Sequence, residues 1–194
     1  MKIHSKAFFL SATFALLAPM AAQAHVIGGN GFTSGVTHPL RGLDHLLAMV
    51  AVGIISARLG GKALWAVPAT FVGSMVFGGA LAIAGVKLAF VEPGIALSVL
   101  VLGIAIALSP RVPASAAMGC VGLFAVFHGH AHGQELPLIA NATSYVAGFV
   151  LTTTVLHVTG VFIGHFASKT RASLTALRYA GAGITLAGIV FLFR

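Results

Sequence analysis

Two short segments carry most of the metal-binding chemistry in this chain. They are His38-Pro39-Leu40-Arg41-Gly42-Leu43-Asp44-His45 and Phe127-His128-Gly129-His130-Ala131-His132-Gly133-Gln134-Glu135. Between them they hold five of the nine histidines and two of the three acidic residues, set among apolar runs where ionisable groups are costly to solvate. Imidazole and carboxylate donors in this density suit a borderline divalent ion such as nickel, cobalt, zinc or copper. On a helix His128 and His132 share one face a turn apart, and Glu135 continues the stripe. His130 points nearly the opposite way, unless the chain breaks at Gly129 and Gly133 and the three imidazoles fan out. In the first segment Pro39 suits the first turn of a helix, with His38 at its cap. His38 and His45 would then be about 10 Å apart along a straight helix, too far to share an ion. Either His38 lies on a segment that folds back, or the two are successive stations. Asp44 is either a partner for Arg41, three residues earlier, or a functional acid beside His45.

The elements that must position these residues are membrane helices. With 58% hydrophobic and 7% charged residues and a mean hydropathy of +1.03, the chain lacks the charged surface a soluble domain needs. The formal charge of +8 is spread over single or paired Lys and Arg at the ends of apolar runs. That pattern sets topology and does not make a nucleic-acid-binding stripe. The lone Cys120 lies within an apolar run and reads as a packing residue.

Residues 1–24 read as a secretory signal peptide: Lys2 and Lys6, an apolar stretch from Ala7 to Leu17, then Ala22-Gln23-Ala24 at the cleavage site. The mature chain, residues 25–194, is expected to be one domain of six transmembrane helices near 39–58, 63–85, 92–109, 113–132, 139–167 and 174–193. A cleaved signal places both mature termini in the periplasm. Arg58, Lys62, Arg111, Lys169, Arg171 and Arg178 then fall inside, against Arg41, Lys87 and Arg194 outside, as the positive-inside rule requires. Both histidine segments and Glu92 come to the outer face. Small-residue pairs such as Gly129/Gly133, Gly160/Gly164 and Gly181/Thr185 are expected at close helix contacts.

The H-x5-D-H pattern opening the first span, the F-H-G-H-A-H-G-Q-E segment ending the fourth, the signal peptide and the six-span plan together resemble the HupE/UreJ family of bacterial nickel permeases. The resemblance covers essentially the whole mature chain. It implies an inner-membrane permease, not an enzyme, importing nickel or cobalt from periplasm to cytoplasm. It also implies ligand roles for His38, Asp44, His45, His128, His132 and Glu135, with Phe127 and the glycines as framework. The metal is cargo, and no resident cofactor is expected. The expected partners are the divalent ion, the bilayer and, in a homo-oligomer, further copies of the chain; nucleic acid is not among them.

Four histidines lie outside these motifs, three of them in the expected mature chain. His25, the mature N-terminus, can chelate through amine and imidazole. His157, in mid-span, is either a station on the path or a hydrogen-bonded core residue. His165 reads as interfacial. No phosphate-binding loop is present, so ATP is not coupled within this chain. A dication entering through a negative-inside potential gains about 4.6 kcal/mol per 100 mV, which can drive uptake by itself. The alternative is an intramembrane zinc hydrolase using the same donors around an open coordination position.

Overall fold

The computed structural model describes residues 31–136 and 141–194; the expected signal peptide and His25 lie outside the described residues. Among the described residues the protein is all-helical, with seven helices. These are α1 (Gly31–Arg41), α2 (Leu43–Leu59), α3 (Ala63–Ile83), α4 (Val91–Leu108), α5 (Ala114–Glu135), α6 (Ala142–Ala167) and α7 (Arg171–Leu192). Helices α3 to α7 are each long and apolar enough to cross a bilayer, and α1 with α2 makes a further candidate bent by 81°. The chain is thus a multi-pass membrane protein whose five unbroken spans fall within a few residues of those expected.

Local chemistry sets the helix ends. Gly60, at φ 67°, closes α2 in a conformation that favours glycine. Pro113 directly precedes α5. The Asn141 side chain accepts from the Ser144 amide to cap α6, and Thr170 does the same for α7 through Ser173.

The first span departs from expectation. It is not one straight helix beginning at Pro39: a separate helix precedes it, and Pro39 lies near the end of α1. The segment Gly-Phe-Thr-Ser-Gly-Val-Thr has weak intrinsic helix propensity, which is why its helix was not legible. Tertiary packing supplies what propensity lacks. Gly31, Gly35 and Pro39 form a buried face against α6, and the Thr152 hydroxyl donates to the Val36 carbonyl at 2.9 Å.

Helix α2 is the hub. Ala48, Met49, Ala51, Val52, Gly53, Ile54 and Ser56 are all buried, on every side of the helix, as expected for one enclosed by others. It packs on α3, α4 and α6, while α3 pairs with α5 and α4 with α7. At the α2/α6 crossing Gly53 meets the His157 carbonyl and Gly160 meets that of Val50, so a side chain at either would collide with backbone. This close crossing lodges the middle of α6 against the hub.

Candidate metal centre

The break between α1 and α2 assembles the site. Gly42 is extended (φ −92°, ψ 113°), and the 81° bend brings His38 back over the start of α2. The His38 and His45 rings then stand 6.3 Å apart, closer than the about 10 Å that a straight helix would impose. A Cβ on Gly42 would lie 2.7 Å from Asp44 Oδ1 and 2.9 Å from His45 Nδ1, so the hinge also makes room for the acid and its imidazole. Sequence reading treated Gly42 only as framework; its place between two ligand-type histidines was the available signal.

Asp44 turns to His45 and not to Arg41. Its Oδ1 accepts from the His45 backbone amide at 2.8 Å and from His45 Nδ1 at 2.6 Å. A carboxylate accepts only, so Nδ1 donates to it, and Nε2 is the ring nitrogen left without a partner. This is how outer carboxylates orient metal-binding histidines.

Helix α5 is continuous through Glu135, so the imidazoles do not fan out. Gly129 and Gly133 serve packing instead: each lies against α3 backbone, at the Met75 and Gly79 carbonyls respectively. That contact holds the His128/His132/Glu135 stripe towards α1, α2 and α6. His38 Nε2 is 3.4 Å and His132 Nδ1 3.9 Å from Glu135 Oε2, and one donor atom from each of the three falls within 4.8 Å of the others. Ligand bonds of about 2.1 Å place neighbouring donors roughly 3–4 Å apart, so small side-chain adjustments suffice for an ion to bridge them.

Below this trio the rings continue as a file. His132 lies 4.7 Å from His38 and 4.6 Å from His45, and His45 lies 5.1 Å from His128. Phe71 follows at 5.6 Å, then His157 at 5.1 Å from Phe71. Exposure falls along the file, from 49% for the Glu135 side chain and 27% for His38 to fully buried His128 and His157. His128 Nδ1 donates to the Phe124 carbonyl at 3.0 Å, which leaves Nε2 as an unpartnered acceptor. Also buried without a hydrogen-bond partner are His45 Nε2 and both ring nitrogens of His132 and of His157. Orphaned polar atoms in this number are expensive unless something else satisfies them. Unpartnered imidazole nitrogens on successive rings make a donor set suited to a divalent cation.

His130 stands apart. It is buried on another face of α5, and its Nε2 donates to the Val86 carbonyl at 2.8 Å, tying α5 to the turn after α3. His165 is exposed beside Phe166. Glu92, in the first turn of α4, is exposed at the same end of the bundle as Glu135.

No solved structure matches the chain significantly. Among proteins of known sequence, Protein HupE of Rhizobium leguminosarum bv. viciae is 46% identical over 185 residues, covering 94% of this chain and 96% of that protein. The family described as HupE / UreJ protein matches residues 13–191, a stretch that includes both histidine segments and every helix down to Phe191. The chain therefore belongs to the HupE/UreJ family.

Proposed function

We propose that the protein is a permease for a divalent transition metal, importing nickel, with cobalt as the second candidate, across the bacterial inner membrane. The observation that carries this reading is the file of unpartnered imidazole nitrogens, which starts at half-exposed Glu135 and continues to His157 inside the bundle. His38, His132 and Glu135 capture the ion. Asp44 fixes His45 as the next donor, His128 follows, and His157 receives the ion beyond Phe71. His25, at the mature N-terminus, would add capture on the periplasmic side.

Histidine and carboxylate in a site with open positions bind while still allowing exchange, which transport requires. No energy source beyond the membrane potential is needed for a dication. A hydrolytic zinc centre would use the outer trio alone. Donors buried deeper, at His128 and His157, are what passage calls for and what a hydrolase would leave idle.

The test is radiolabelled nickel uptake in cells lacking other nickel importers, alongside nickel binding to the purified protein. His132→Ala should abolish both, whereas His157→Ala should keep outer binding and slow uptake. Absence of uptake by the wild type above vector control overturns the permease reading. Unchanged uptake by His157→Ala removes the inner part of the path, and competition by cobalt reports selectivity.

A further inference from the structure

At the end of the bundle away from the histidines, a cavity of about 280 Å3 opens between the last turn of α2 and the turn after α4. Arg58, Leu59, Ser109 and Arg111 contribute to its lining. Arg58 is half-buried, and one of its five N–H donors is fixed by a 2.9 Å bond to the Ile106 carbonyl. Ser109, in the left-handed conformation at φ 55°, ends α4 and turns the chain so that Arg111 shares the cavity. Arg178 on α7 adds a further positive charge acting on Arg58.

What this end lacks is an anion. The sequence has three acidic residues, Asp44, Glu92 and Glu135. Asp44 begins α2 while Arg58 ends it, a separation of about 21 Å along the helix. Glu92 begins α4 while Ser109 follows its end, and Glu135 ends α5, whose start follows Arg111. No side-chain carboxylate of this chain can therefore neutralise the two guanidinium groups in the cavity. Ile55, Leu59 and Val112 line the same cavity, so half-buried Arg58 lies beside apolar surface, where a charge is costly without a counter-ion, while Arg111 is exposed at its rim.

We propose that this cavity is a binding site for a phosphate group, supplied by the headgroup of an anionic phospholipid. Two guanidinium forks match phosphate oxygens in geometry and charge, and headgroup phosphates are the concentrated anions at this depth. The site would seat the α2/α4 end of the bundle in the leaflet. It is independent of which ion the histidines carry.

The experiment uses the full chain purified in a neutral detergent, with native mass spectrometry and thermal melting as readouts. Dioleoylphosphatidylglycerol, dioleoylphosphatidylcholine and inorganic phosphate serve as probes. One phosphatidylglycerol per chain should be retained in preference to phosphatidylcholine, with a raised melting temperature. Arg58→Gln with Arg111→Gln should weaken that retention roughly 30-fold, given about fivefold per basic residue. Lys169→Gln with Arg171→Gln, which removes the same charge from the same end, should weaken it less, because neither side chain lines the cavity.

Stabilisation by inorganic phosphate alone, equal to that by the lipid, supports the site but assigns it to a free phosphate. Equal retention of the two lipids by the wild type overturns the proposal. So does equal loss in the two double variants. Should the arginine variant fail to fold, the wild type still decides, because several phosphatidylglycerols held equally well would show general charge attraction and no site.

Discussion

The two ends of this helix bundle differ in what balances their charge. At one end Asp44 and Glu135 stand among His38, His45 and His132: Asp44 pairs with His45 within α2, while Glu135 meets His132 within α5 and His38 across from α1. At the other, Arg58, Lys62, Arg111, Lys169, Arg171 and Arg178 have no side-chain carboxylate within reach. The difference teaches how a chain with few charges divides its tasks. Two of the three acids, costly in a membrane, are concentrated beside the histidines, and the opposite end carries positive charge without a side-chain counter-ion.

The largest expected effect comes from removing a donor shared by the outer trio and the file. His132→Ala should lower metal uptake at limiting nickel by at least about 100-fold while the protein still reaches the membrane, since the ring lies beside His38, His45 and Glu135. Asp44→Asn is milder. The amide can still meet the His45 backbone, but it no longer holds Nδ1–H with a charge, and nickel affinity measured by calorimetry should drop about 10- to 100-fold. A drop of less than about threefold would mean that Asp44 anchors the helix end and nothing more.

Stability sharpens the same contrast. Gly129→Ala pushes a methyl group into the Met75 carbonyl and should destabilise the α3/α5 pair by about 1–3 kcal/mol, read as a lower midpoint in detergent unfolding. His130→Ala should cost about 1 kcal/mol through the lost bond to Val86, with nickel affinity unchanged. If affinity falls together with stability, His130 belongs to the metal-binding end after all.

Most of the helices were legible because apolar runs of bilayer length, punctuated by Gly, Pro or a basic residue, leave few alternatives; the Asn141 cap, inside the expected start of its span, was not read. The stripe of His128, His132 and Glu135 was equally legible, because helical spacing puts these positions on one face whatever surrounds them. What spacing could not reveal was the helix before Pro39. Gly31, Gly35, Thr33 and Thr37 are poor helix formers, and only their packing on α6 makes them one. For the same reason the sequence left two arrangements open for His38 and His45.

By itself, then, the sequence determined the membrane class, the run of helices and the residue types able to hold a metal, since these follow from composition and from periods of a few residues. Contacts between distant segments decided the rest. They include the bend at Gly42 that brings His38 to His132, the turn of Asp44 towards His45, the diversion of His130 to Val86, and the alignment of His157 beyond Phe71. Each depends on how closely one helix approaches another, a distance set by side-chain volumes on both partners and by no local pattern in either.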